Sequence, residues 1–238
     1  MSDLLELVIS AHGGRDRWSE ATEIVVRVSL TGPMYAIKGL PQGMANVLMR
    51  LDARAPAVEV SPFGDAGHVG HFRPGRAWIT DRKGNVTDDR ADPRASFAGH
   101  VLASKWDPLQ LLYFNSYAMW NYLTTPFLFT RPGFKLQELE PHQENNDSWR
   151  RLHVTFPTDI PTHCPEQIFY FDGKGLLQRV DYLTDVAGGV AAHYCYDHSW
   201  FGGILFPTLR RVVRRTPEGA SPAQPTAILV QITDVLVR

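Results

Sequence analysis

The sequence predicts a mainly β chain of the α+β type, in which antiparallel strands are interrupted by a short N-terminal helix and one helical insertion. Three observations predict it. Apolar and polar residues alternate in segment after segment, as in Ile24, Val26, Val28 and Leu30 against Val25, Arg27 and Ser29, the pattern of a strand with one buried face. Glycine- and proline-rich turns separate these segments at short spacing, which suits hairpins. One stretch, Asp107 to Arg131, has no charged residue between its ends and reads as a helix followed by an apolar strand or loop.

In chain order, a short amphipathic helix comes first, with Ser2 as its expected cap, Leu4, Leu5, Val8 and Ile9 on its buried side, and Gly13 with Gly14 ending it. After the first strand, Thr31 to Gly43 combines Gly32, Pro33, Gly39, Pro41 and Gly43 with Met34, Tyr35, Ile37 and Leu40. It reads as a loop with enough apolar content to close over something. Strands at Ala45 to Asp52, Ala57 to Ser61, His68 to Arg73 and Arg76 to Asp81 make a meander. Asp81 to Ala95, with Asp88, Asp89, Arg90, Asp92 and Arg94, reads as a solvated connection, and Phe97 to Ser104 as a short helical piece.

Asp107 can cap the N–H groups of the helix that follows, and Pro108 fits its first position, where a missing N–H costs nothing. This helix, Pro108 to about Leu123, carries Leu109, Leu111, Leu112, Tyr113, Phe114, Tyr117, Met119, Trp120, Tyr122 and Leu123. Its polar residues, Gln110, Asn115, Ser116 and Asn121, do not gather on one side, so no face suits water. The helix is either buried all round or covers the core with one face and a hydrophobic ligand, membrane or partner with the other. A bilayer span is disfavoured because Asn115, Ser116, Asn121, Thr124, Thr125 and Pro126 interrupt the apolar run, and unpaired amides are costly in hydrocarbon.

Strands then resume at Phe134 to Glu140, Trp149 to Phe156, Gln167 to Asp172, Leu176 to Thr184, Val190 to His198, Leu205 to Arg215 and Thr226 to Val237. Asp172-Gly173-Lys174-Gly175 and Ala187-Gly188-Gly189 supply residues that tolerate positive φ in hairpin turns, and Thr216 to Gln224 reads as an exposed hairpin loop. No shift of composition marks a second domain. The expected organisation is one domain over 1–238 with a helical insertion at 96–129.

With 238 residues, 44% hydrophobic and 21% charged, the chain has ample material for a core. A net charge of −1 argues against a broad nucleic-acid footprint. Cys164 and Cys195 form no disulfide framework and suit a reducing compartment as free thiols. The opening residues have no basic region and carry Asp3 and Glu6 where a signal peptide would be apolar, so a cytoplasmic location is expected.

No phosphate-binding loop, dinucleotide glycine pattern, HExxH or paired CxxC occurs, and no cofactor or metal is expected. His68 and His71 would point to opposite faces of a strand. The polar constellation worth weighing sits on an expected hairpin, Gln178 to Thr184 followed by Ala192 to His198. Alternation puts Arg179 with Asp181 on one face of the first strand, and His193 with Cys195 and Asp197 on one face of the second. With Leu183 opposite His193, an Arg, Asp and His cluster lines one side; with Tyr182 opposite His193, the cluster divides. In a cavity, Asp181 and His193 could exchange protons while Arg179 stabilises negative charge; on a solvated face they make cross-strand ion pairs. Arg210, Arg211, Arg214 and Arg215 fall on alternating faces. They suit an exposed sheet, or one of them a carboxylate or phosphate head at a cavity mouth.

Several phrases run through most of the chain: Ala11-His12-Gly13-Gly14-Arg15-Asp16-Arg17-Trp18, Phe171-Asp172-Gly173-Lys174-Gly175-Leu176-Leu177, Phe201-Gly202-Gly203-Ile204-Leu205-Phe206-Pro207 and Ile232-Thr233-Asp234-Val235. With the strand order, these resemble the LolA/LolB-like family of lipoprotein carriers. The resemblance implies an incompletely closed antiparallel β half-barrel whose concave face is covered by helices over an apolar cavity, with the aromatic helix as the lid. Without a signal peptide or lipobox cysteine, periplasmic carriage of lipoproteins is not expected to transfer with the fold.

The expected function is cytoplasmic binding of a lipophilic small molecule between sheet and lid, with Tyr113, Tyr117, Trp120, Tyr182 and Tyr194 against the ligand. One alternative is a cyclase or isomerase acting on such a molecule through Asp181, His193 and Arg179. The other is a protein-interaction module presenting the aromatic helix to a partner.

Overall fold

A computed structural model describes residues 3–216 and 225–238. Ser2 and most of the expected loop at 216–224 lie outside these residues. The strands are β1 (Glu23–Thr31), β2 (Met44–Asp52), β3 (Val58–Ser61), β4 (Val69–Arg73), β5 (Arg76–Thr80), β6 (Val86–Ala91), β7 (Lys135–Glu144), β8 (Asp147–Thr155), β9 (Glu166–Phe171), β10 (Leu177–Leu183), β11 (Val190–Phe201), β12 (Ile204–Arg214) and β13 (Thr226–Val237). The helices are α1 (Asp3–Ala11), α2 (Gly14–Glu20), α3 (Pro33–Ile37) and α4 (Pro108–Thr124).

Short turns between successive strands leave little choice of neighbour, and the result is two antiparallel meanders in one 13-stranded sheet. Its order is β6-β5-β4-β3-β2-β1-β13-β12-β11-β10-β9-β8-β7. The meanders join where β1 pairs with β13, Ile24 opposite Val237. The sheet is not closed. Its edges, β6 and β7, are rich in charge, and β7 carries Pro141 where its register with β8 shifts, which suits an unpaired edge.

This topology dictates where the helical insertion goes. The chain leaves the sheet at one edge, β6, and re-enters at the other, β7, so the connection must cross the sheet, and α4 does so packed on one of its faces. Its N-terminus is fixed as expected: the Asp107 carboxylate accepts from Gln110 N at 2.9 Å, and Gln110 Oε1 accepts from Asp107 N at 3.1 Å. Apart from Pro108 and Tyr122, every residue of α4 is buried. It lies against β3, β4, β5 and β6, and Gly70 on β4 makes room for it: a Cβ there would come within 2.7 Å of Leu112 Cδ1. Its polar side chains are largely paired inside, with Asn115 accepting from the Tyr35 hydroxyl at 2.6 Å and Asn121 donating to Pro161 O at 2.9 Å. Among the described residues no helix is long and apolar enough to cross a membrane.

Three local expectations need correction. Asp81 to Ala95 contains a strand, β6, exposed on both faces so that no alternation betrays it. The expected helical piece at Phe97 to Ser104 does not form: a single 3₁₀ turn, Ala95–Phe97, reaches only its first residue. The Thr31 to Gly43 loop holds the short helix α3, begun by Pro33. The first helix ends before Gly13 as expected, and Gly13, with φ 122°, then turns the chain into a second helix, α2, packed so tightly on Gly203 O that any side chain would collide.

Candidate functional site

The β10–β11 hairpin determines which polar groups look inward. Its turn places Val180 opposite His193, Arg179 opposite Tyr194 and Asp181 opposite Ala192. Neither expected register occurs, and the parity is that of the divided cluster. Asp181 and Arg179 point to the outer face, whereas Val180, Tyr182, His193 and Cys195 face α4. The Asp181, His193, Arg179 trio therefore does not assemble. Asp197 does not continue its strand's alternation either: it is exposed with a positive φ of 54°, although the β11–β12 register is the same on both sides of it.

On the inner side, a buried polar cluster forms around His163, from the irregular segment between β8 and β9. Its Nδ1 meets the Tyr117 hydroxyl at 3.0 Å and its Nε2 the Tyr122 hydroxyl at 2.8 Å, while Tyr182 stacks on it with centroids 4.2 Å apart. The Tyr182 hydroxyl in turn lies 3.4 Å from Tyr122 OH and from His193 Nδ1. Tyr122 presents its ring edge-on to His193 at 4.6 Å. Burial, with a smaller push from Arg94, lowers the His163 pKa to about 3, and burial together with the charges of Arg210 and His163 holds His193 well below its ordinary range. Burial also raises Tyr122 to about 12 and puts Tyr117 and Tyr182 well above 10.0. At neutral pH the cluster is a set of uncharged donors and acceptors with the cation Arg210, 1% exposed on β12, at its side.

The outer side holds a separate network. Arg179 is forked onto Asp181, Nε to Oδ1 at 2.6 Å and Nη2 to Oδ2 at 2.9 Å, and its Nη1 reaches Glu144 at 2.7 Å. Tyr170 donates to Asp181 at 2.8 Å, Tyr194 to Glu144 at 2.5 Å, and Arg215 stands 3.3 Å from Asp181. The solvated cross-strand ion pairs weighed for this hairpin do not form: Arg179 and Asp181 pair along one strand, Glu144 comes from β7, and the side chains of Arg179 and Asp181 are each 2% exposed. Beside the network lies an outer concavity of about 430 Å³, lined in part by Glu144, Trp149, Gln178, Tyr194 and Arg211. A second, of about 270 Å³, lies among Arg50, Glu59, His71 and Trp78. Neither takes a residue from α4.

Of the five tyrosines and tryptophans expected around a ligand, Tyr113, Tyr117, Trp120 and Tyr182 face the interior, whereas Tyr194 belongs to the outer network. The interior four are packed. Tyr113 abuts Phe72 at 5.7 Å and Tyr117 at 5.0 Å, and Trp120 donates to Asp52 O at 2.8 Å at the far end of the same face. Because α4 is an interior element, its aromatic rings offer no surface to a partner chain. The strand arginines divide as alternation requires, but Arg210 is buried rather than solubilising. Sequence reasoning missed His163, which no periodicity marks. Arg210 had a partial signal, since alternation puts it on the face of Phe206 and Val212, both buried.

No family model and no curated protein sequence matches this chain. Solved structures do. A LolA superfamily protein from Nitrosomonas europaea superposes with a TM-score of 0.54 at 10% identity, covering 99% of this chain and 92% of that one. A domain named for outer membrane lipoprotein sorting, from Vibrio parahaemolyticus, gives 0.50 at 10% identity, over 98% and 92% of the two chains. A DUF1329 family protein from Desulfovibrio piger gives 0.50 at 11% identity, over 98% and 91%. At such identities the likeness is one of backbone, and it agrees with the open sheet and crossing helix described above: this chain has a LolA-like fold.

Proposed function

We propose that this protein binds a lipophilic small molecule between the concave face of the sheet and α4. The observation that carries the reading is α4 itself, a helix without a charged residue, laid across the open side of a sheet whose edges do not meet. A helix buried all round is apolar on every side, and one that separates from the sheet to admit a ligand also keeps apolar surface on both sides of the gap. Tyr113, Tyr117 and Trp120 fill this space in the structure, so the ligand enters as α4 moves outward. The irregular segments at 98–107 and 131–134 give the helix two places to hinge. The ligand replaces ring-to-sheet contacts with its own, and affinity follows its apolar area.

Isothermal titration of the full chain with a graded series of straight-chain lipids below their micelle concentrations tests this. Affinity is expected to rise by up to about 0.8 kcal/mol per methylene until the space is full. A flat response across the series, together with no compound extracted from protein purified from its own host, would overturn the proposal. The cytoplasmic location belongs to the same reading, supported by two buried thiols, Cys164 and Cys195, neither in a disulfide. Cell fractionation checks it, and recovery outside the cytoplasm would refute it.

A further inference from the structure

The fold shows how it accommodates an arginine that it merely buries: Arg179 has two carboxylates, Asp181 and Glu144. Arg210, equally buried, is treated differently. It points inward from β12 opposite Cys195, with apolar Val212 next on the same face and Val230 beside it on β13. Its Nη1 donates to Cys195 Sγ at 3.2 Å and its Nη2 to Tyr122 O at 3.1 Å, and the guanidinium lies over the Tyr122 ring, 5.0 Å from its centroid. Its Nε has no partner, and among the described residues no carboxylate stands within ion-pair distance. One rung along the ladder, on the same face, His193 is fully buried with its Nε2 also unpartnered. A thiol, a carbonyl and a ring face do not neutralise a cation, and an uncompensated buried charge costs several kcal/mol. Two unpartnered ring and guanidinium nitrogens and an unopposed positive charge thus share the inner face beneath the end of α4.

We propose that Arg210 and His193 form the seat for the carboxylate of a lipophilic acid whose chain lies between α4 and the sheet, an inference that rests on the function proposed above. Arg210 Nε donates to one carboxylate oxygen. His193, in the tautomer that accepts at Nδ1 from the Tyr182 hydroxyl, donates from Nε2 to the other. The charge count selects the head group. His193 is neutral at physiological pH, so the seat offers one positive charge, which a carboxylate balances and a phosphate monoester, near two negative charges, exceeds.

Titration with dodecanoate, 1-dodecanol, dodecyl phosphate and acetate, each below micelle formation, tests the seat in the full chain. The expected order is dodecanoate at least tenfold tighter than dodecanol, dodecyl phosphate weaker than dodecanoate, and acetate without measurable binding. Arg210→Met, close in length but uncharged, is expected to bind dodecanoate and dodecanol alike and to melt no lower than the wild type without ligand. If neither C12 acid nor alcohol binds, the proposed function falls and the seat with it. If the two bind the wild type equally, that function stands and the seat is overturned. Tighter binding of dodecyl phosphate, or a lowered melting temperature for Arg210→Met without ligand, likewise overturns it. Should Arg210→Met fail to fold, carboxyl-13C dodecanoate bound to the wild type still decides. Its resonance is expected to stay that of the ionised form well below the titration midpoint of the free acid, and a midpoint equal to the free one overturns the seat.

Discussion

Lowering the pH from 8 to 5 is expected to remove much of this protein's stability through three histidines that water barely reaches. His12, His163 and His193 are 1%, 2% and 0% exposed, and burial is the largest cause of each one's lowered pKa. The folded values are about 4 for His12 and about 3 for His163, against 6.5 for the unperturbed ring, with His193 also well below it. The unfolded chain therefore binds more protons throughout this interval. The stability contributed by neutral rings is complete above about pH 6.5 and is lost as pH falls toward the folded values. At pH 5 His12 and His163 each cost about 2 kcal/mol relative to pH 8, together about 4 kcal/mol, with His193 acting in the same direction, a large share of the roughly 5–15 kcal/mol that holds a domain folded. His71 and His198, also lowered by burial, act in the same direction. Carboxylates with lowered values, such as Asp81 and Asp89, release their contribution only below about pH 4 and stay out of this window. Urea unfolding between pH 8 and 5 reads the effect, with a slope of about 2.5 kcal/mol per pH unit or more near pH 5. Level stability from pH 7 to 5 would refute the reasoning, as would a His163→Gln variant whose slope equals that of the wild type.

Two substitutions test the packing of each face. Asp181→Ala leaves the buried Arg179 with Glu144 as its remaining carboxylate and is expected to cost about 3 kcal/mol in chemical denaturation; a loss under about 1 kcal/mol would show that the outer network is not structural. Gly70→Ala drives a methyl into Leu112 on α4 and is expected to cost about 1–3 kcal/mol, and an unchanged unfolding midpoint would mean that α4 yields without resistance.

The strands were legible wherever one face of the sheet meets the core, because alternation is the imprint of that asymmetry. β1 reads directly from Ile24, Val26, Val28 and Leu30, all buried. β6 was hidden for the converse reason: both its faces are wet, and Asp88, Asp89 and Arg90 follow no period. The start of α4 was legible from Asp107, Pro108 and Gln110, since capping is a local affair. The site was legible only in part. Parity within each strand followed from sequence, and Arg179 does share a face with Asp181, but which strand residue meets which depends on a turn of several residues around Gly188 and Gly189. His163 reaches its tyrosines from an irregular segment whose path depends on the whole fold, and no local rule places it.

The pairing of β1 with β13 also constrains how the protein comes off the ribosome. Ile24 waits for Val237, so the ladder that fuses the two meanders has no partner strand until every strand between them has been made. At roughly 5–20 residues per second that interval is about 10–40 s, during which the first meander stands with β1 as an unpaired, strongly apolar edge. An apolar edge left open that long invites pairing with other chains, and truncations that remove the last strand expose the same edge permanently.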